Sequence, residues 1–389
     1  MMKNTKYTSL KLIIGIHEER PVGPGFVLKN YLIKKRVNKL MFISHPLLYF
    51  SDSYKNSSRY ELYEKGFLSS MITARHFSLA MPILFMKDFL YTIWWSTRLK
   101  GKYDVFFGVD PLNVLAGIVL KKIGKVKKIV YYNIDYTPAR FDNVFINKIY
   151  HLVDTFACYN VDINWIGTKR TELARIQNGL LKEKMAKTVI VPDGNNSKSI
   201  SKKKDRKIKM NRLVYLGSLD KKQGLDLVLE ALPLILKKIP NIELVIMGKG
   251  DYEGSLKKKA KLFKLNCVKF MGFIQSEDDV ENILLESAVA LAPYVPDKNS
   301  FTYYSEAGKP KYYLGCGVPI VITDVPEIAR DIQKYNAGEM IRYKKEDLAN
   351  AVLKILNKKN YSTYKANAVK LGKTFDSNTI FSKALSSTL

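Results

Sequence analysis

Short apolar runs of strand type, each followed by a turn and a helical stretch, recur in two series along these 389 residues. The first series comprises residues 11–16 (KLIIGI), 40–43, 103–109, 128–132, 157–165 and 188–191, with one or two short strands expected within 57–77. The second comprises residues 212–216, 242–247, 268–271, 289–291 and 320–323. Uninterrupted apolar runs of this length suit strands buried on both faces, and helices between them make βαβ units. Between the series, residues 195–209 (NNSKSISKKKDRKIK) are polar and basic, which predicts a surface connector. The chain is also too long for one ordinary core. The expected organisation is an α/β domain over 1–195, a linker over 196–209, and a second α/β domain over 210–370. A C-terminal helix over 371–389 is expected to return to the first domain.

Hydrophobic residues make up 47% and charged residues 26%, the balance of a globular protein. No stretch of about 18 uncharged apolar residues occurs, which argues against a spanning helix. The first residues are basic, but their apolar run is short and ends in charges, so it reads as a first strand rather than a signal peptide. Cys158, Cys267 and Cys316 lie far apart with no pairing or zinc spacing, which fits a reducing compartment. Net charge is +28. Residues 1–200 carry 31 Lys/Arg against 15 Asp/Glu, and the rest carry 33 against 21, so the excess is spread over both halves. Such a charge favours polyanions: nucleic acid, an anionic membrane surface or phosphorylated substrates. A generally lysine-rich composition explains it as well. The lysine run of the linker lacks aromatic stacking partners, which argues against nucleic acid.

Residues 79–99 form the most apolar helical stretch, interrupted by Lys87 and Asp88. Trp94 and Trp95, followed by Arg98, Lys100 and Lys102, suit a membrane interface, while packing onto the sheet is the competing expectation. Candidate site residues collect at strand ends and turns, the crevice side of an open α/β sheet. In the first half these are Gly23 and Gly25 after the first strand, and Asp110 and Asp135 at later strand ends. His17 and His45 occupy similar places. Asp110 precedes Pro111, so capping a helix is an equal expectation for it. In the second half, residues 301–327 (FTYYSEAGKPKYYLGCGVPIVITDVPE) read as loop, helix start, glycine turn and buried strand, a frame suited to an anion. No Ser-His-Asp spacing, metal-ligand cluster or Walker loop supports a hydrolase, zinc enzyme or kinase.

The order of motifs resembles the group 1, family 4-like glycosyltransferases of the GT-B fold. Over 212–327 the family's strand with a glycine turn, "G-x-G", "F-x-G" and "CGVP" elements are matched by LVYLGSLDKKQGLD, LVIMGKGD, VKFMGFI and CGVPIVITD. The first half is similar to a subgroup with the pattern YDVFFGVDPLNVLAG, here 103–117. The resemblance implies two doubly wound Rossmann-like domains facing each other across a cleft, with the nucleotide-sugar donor held by the second. It also implies retention at the anomeric carbon and no metal or other cofactor. On this reading Ser218, Lys222, Gln223, Gly248, Lys309 and Tyr312 belong to the donor site, with Gly23 and Gly25 contributing from the first domain. Lys309 is expected to stabilise the leaving diphosphate, aided by Lys222; a solvated surface lysine is the alternative. Glu306 is expected to hold sugar hydroxyls, and Asp110 or Asp135 to orient or deprotonate the acceptor hydroxyl.

Four departures stand out. Ser218 and Gln223 occupy positions where many members carry Arg and Lys, and Tyr312 and Tyr304 stand in register with the family's paired glutamates. Lys221 and Lys222 remain as nearby cations. The expected partners are a nucleotide sugar, a lipid-linked or glycan acceptor and an anionic membrane at the cytoplasmic face, and no nucleic acid. A non-catalytic GT-B protein that lost its donor site is the alternative.

Overall fold

The computed structural model describes residues 7–17, 23–46, 57–74, 80–133, 136–141, 143–195, 207–298, 300–304 and 306–389. The chain divides into two compact units: one formed by 1–192 with 381–389, the other by 193–380.

The first unit contains β1 (Lys11–His17), α1 (Pro24–Lys34), β2 (Lys39–His45), β3 (Arg59–Glu64), β4 (Phe67–Thr73), α2 (Met81–Arg98), β5 (Tyr103–Gly108) and α3 (Pro111–Lys122). It continues with β6 (Val126–Asn133), α4 (Val144–Asn160), β7 (Ile163–Ile166), α5 (Lys169–Gln177) and β8 (Lys187–Ile190). These strands form one sheet in the order β4-β3-β2-β1-β5-β6-β7-β8, parallel except for antiparallel β3. Alternate residues feed opposite faces. Ile13, Met41, Phe106 and Ile129 join a core shared with Trp95 of α2, Val114 and Ile118 of α3, and Ala157 and Cys158 of α4. On the other side Phe107, Tyr132 and Trp165 pack together, and Phe381 stacks on Trp165 and meets Tyr132 edge-on. The apolar run at 157–165 therefore splits. α4 continues to Asn160 and only Ile163–Ile166 is strand.

The second unit contains β9 (Lys209–Leu216), α6 (Leu225–Leu236), β10 (Glu243–Met247), α7 (Glu253–Leu262), β11 (Val268–Gly272), α8 (Glu277–Leu285) and β12 (Ser287–Ala292). After these come α9 (Phe301–Tyr304), α10 (Gly308–Gly315), β13 (Ile320–Thr323), α11 (Ile328–Lys334), β14 (Gly338–Ile341), α12 (Lys345–Leu356) and α13 (Lys358–Thr374). A last helix, α14 (Ser377–Thr388), begins here and ends in the first unit. The sheet is parallel with the order β11-β10-β9-β12-β13-β14, the doubly wound arrangement. Its order reverses between β9 and β12. In the first unit the parallel strands reverse between β1 and β5. At such a point neighbouring connections diverge to opposite faces and leave a crevice beyond the strand ends.

Candidate functional site at the sheet switch points

In the second unit β9 ends at the turn Gly217-Ser218. Gly217 adopts φ 144° and Gly248, at the end of β10, φ 141°. A Cβ on Gly248 would overlap the carbonyl oxygen of Gly217, so the two turns stack backbone on backbone. A Cβ on Gly217 would come within 3.0 Å of Nζ of Lys309. That lysine is the second residue of α10.

The Lys309 ammonium donates to Oε1 of Gln223 at 2.7 Å and to the hydroxyl of Tyr215 at 2.9 Å. It lies 4.1 Å from the centre of the Tyr215 ring and 5.1 Å from that of Tyr294. All of these partners are neutral. Burial among them, with no opposing carboxylate, pulls its pKa down to about 7. A cation held by neutral groups at a switch point is a ready counter-charge for an anion. Tyr215 in turn donates to the carbonyl of Ser218, which fixes the turn. Tyr215 and Tyr294 were not singled out from the sequence. Their signal is positional: one lies in the strand leading to the switch point, the other just after β12.

The remaining second-unit candidates are placed as follows. Gln223 is buried beside Lys309, and Ser218 is exposed at the turn. Lys222 is exposed, with its backbone N–H capped by Asp220. Glu306 is ion-paired with buried Lys311. Burial lowers the pKa of Lys311 to about 8 against the opposing pull of Asp193. Tyr312 packs into the core that includes Tyr313 and Leu314. Burial pushes its phenol upward, as do Cys316 and the carboxylates of Glu281, Glu277 and Asp278.

In the first unit the switch point holds a buried ionic network. Asp110 caps α3 by accepting from the Asn113 backbone at 3.0 Å. It also accepts from the His17 backbone at 2.9 Å, and its Oδ2 lies 3.0 Å from His17 Nδ1. Capping and a charged role thus coexist. On the other side of the imidazole, Nε2 lies 3.4 Å from Asp88 of α2. Asp88 in turn sits 3.3 Å from Nδ1 of His45 and 2.8 Å from Nζ of Lys87, and accepts from Ser58 at 2.9 Å. Burial opposes the imidazolium, yet Asp110 and Asp88 outweigh it and raise His17 to about 10. His45, buried and facing His17, is pushed down and stays neutral. Burial would lift both carboxylates; their imidazole partners hold them well below the usual range. With His45 neutral, His17 and Lys87 balance Asp88 and Asp110.

Gly23 caps α1 at φ 105°, and Gly25 is buried where a Cβ would press on Ile16. Asp135 lies outside the described residues. Asp88 was missed as a network member because in sequence it only breaks an apolar helix.

Two doubly wound parallel sheets, each with its polar constellation at the switch point, are the GT-B fold. Consistent with this, the solved structure of HepE from Anabaena in complex with UDP superposes with a TM-score of 0.68 at 15% identity, over 97% of this chain and 100% of that one. Residues 210–358 match the family described as glycosyl transferases group 1. An uncharacterized glycosyltransferase of Haemophilus influenzae is 23% identical over 188 residues, 48% of this chain and 46% of that protein. A phosphatidyl-myo-inositol mannosyltransferase of Mycolicibacterium smegmatis is 26% identical over 147 residues, 37% of this chain and 36% of that protein. The matches thus span less than half the length of these relatives.

Proposed function

We propose that the chain transfers a sugar from a nucleotide-sugar donor to a lipid-linked oligosaccharide or polysaccharide acceptor, with retention at the anomeric carbon and no metal. The observation that carries this reading is the Lys309 ammonium, held by Gln223 and Tyr215 beside the Gly217 turn. Departure of a nucleoside diphosphate requires stabilised negative charge on the phosphates, and a preorganised cation with donors at a helix start supplies it. In the family pattern the cation comes from position 223. Here Gln223 is neutral, and Lys309 brings its charge to the same place from α10. The Gly217–Gly248 stack leaves bare backbone where a pyrophosphate would approach.

Binding of UDP by HepE supports a nucleotide donor, and the mannosyltransferase relative supports a lipid-linked acceptor. The positive charge of both halves supports work at the inner, anionic face of the cell membrane. None of the helices among the described residues is long and apolar enough to cross a membrane, so the contact proposed is peripheral.

The test is incubation with a panel of nucleotide sugars and lipid-diphosphate acceptors. Release of nucleoside diphosphate that depends on the acceptor, and is lost in Lys309→Ala, is the expected result. No release from any donor, together with no thermal stabilisation by any nucleotide, would refute the reading.

A further inference from the structure

Helices α2 and α4 of the first unit carry large apolar side chains on their outer faces as well as toward the core. A surface helix normally turns its apolar stripe inward and its charges to water. In α2 the buried positions include Asp88, Thr92 and Ser96, spaced four apart, whereas Ile83, Met86, Leu90 and Trp94 are 54%, 65%, 56% and 46% exposed. Those four are spaced 3, 4 and 4, a single helical face. In α4 the buried acid is Asp154, held by Arg175 at 2.7 and 2.8 Å. Phe145, Ile149, Leu152 and Phe156 are 71%, 45%, 63% and 46% exposed, again along one face. Each helix contains a single carboxylate, Asp88 or Asp154, and both point inward. No negative charge from either helix therefore remains on the outer faces.

The two helices belong to one layer. Both pack on α3, and Trp95 of α2 and Ala157 of α4 join the same core beneath the sheet face. Of the two tryptophans, Trp95 is buried and Trp94 faces outward. The Arg98 guanidinium lies 4.4 Å over the Trp94 ring, and Lys100, Lys102 and Lys148 are exposed nearby in sequence or on α4. Large apolar side chains, an outward indole and the cations Arg98, Lys100, Lys102 and Lys148 complement an anionic lipid surface. A patch of this extent is unusual for a face bathed in water.

We propose that α2 and α4 together form the surface by which this chain docks on an anionic phospholipid bilayer, with their outer apolar faces entering the interface. The proposal deepens the membrane part of the function proposed above by naming the surface. Its test involves no turnover, so it stands or falls separately from glycosyl transfer.

The experiment is co-sedimentation of the full chain with vesicles of phosphatidylcholine alone or mixed with phosphatidylglycerol. Wild type is expected to partition onto the mixed vesicles. Met86→Glu/Leu90→Glu and Phe145→Glu/Leu152→Glu should each weaken this at least tenfold with an unchanged melting temperature. Lys100→Glu/Lys102→Glu should weaken it and flatten its dependence on the anionic lipid. Leu262→Glu, an exposed apolar position of the second unit, should have no effect. A readout on wild type alone guards against unfolded variants: Trp94 emission should shift to the blue on mixed vesicles and be quenched by brominated lipid, since Trp95 and Trp165 are buried. Absence of partition or of the shift, or variants that partition like wild type, would overturn the proposal. So would a dimer in solution that the same substitutions dissolve, because the face would then cover a second copy.

Discussion

Nζ of Lys309 and Oε1 of Gln223 lie 2.7 Å apart although 86 residues separate them in sequence. The contact brings a cation from the start of α10 to position 223, which itself carries only a neutral amide. Replacing Lys309 by Met removes that charge and leaves the surrounding tyrosines packed. A hydrogen bond to a charged group contributes roughly 1.5–3 kcal/mol, so affinity for UDP is expected to fall by about 10- to 150-fold. Calorimetric titration measures it. Gln223→Lys places a second cation in the same space and is expected to lower the thermal stability of the unliganded protein.

The depressed Lys309 pKa gives the binding a pH signature. Its folded value is about 7, against roughly 10.4 for an unfolded lysine. Between these values the unfolded chain binds more protons, so this group makes stability rise with pH from about 7 upward. A bound diphosphate restores the proton. UDP binding at pH 8.5 should therefore take up close to one proton, and at pH 6 almost none. Calorimetry in buffers of different ionisation enthalpy reads this directly, and Lys309→Met should abolish the uptake.

At the other switch point, removing His17 takes the imidazolium from between Asp110 and Asp88 and leaves Lys87 to balance both carboxylates. His17→Asn is expected to cost about 3–5 kcal/mol, the usual effect of breaking a buried pair by removing one partner. The folded pKa of His17 is raised to about 10. Its stabilisation is thus fully present below the unfolded value near 6.5 and is lost as pH climbs through 10. The difference in urea stability between wild type and His17→Asn should be largest at pH 6 and shrink steadily toward pH 10.

The stacked glycine turns should be intolerant of a methyl group. Gly248→Ala forces a Cβ against the Gly217 carbonyl and a left-handed backbone on alanine, at an expected cost of about 3 kcal/mol or more. Gly254 lies in α7 with open space around its Cα. Gly254→Ala should stabilise by roughly 0.5–1 kcal/mol. Urea denaturation of both variants separates the two cases.

Much of the framework was legible before any coordinates. The short apolar runs match the strands because a parallel strand covered on both faces needs uninterrupted hydrophobic residues, and glycine marks turns that other side chains cannot adopt. The failures came where periodicity is ambiguous. Residues 157–165 look continuous, yet the helix of Ala157 and Cys158 runs to Asn160 before the strand of Trp165 begins. Within 301–327, which reads only as loop, helix start, glycine turn and buried strand, helix α10 starts at Gly308, because Pro310 is tolerated in a first turn.

Sequence alone therefore determined the two α/β series and their glycine turns, since these follow from local patterns of side-chain type, while the family resemblance made Lys309 a candidate. Only tertiary structure decided what each candidate touches. Lys309 meets Gln223 and Tyr215, Glu306 pairs with Lys311, Tyr312 packs against the core of Tyr313 and Leu314, and Asp88 joins His17, His45 and Lys87. Those pairings depend on strand order, which brings β9 beside β12 and β1 beside β5. Strand order is set by which crossovers bury the most apolar surface over the whole sheet, a sum that no local stretch of sequence contains.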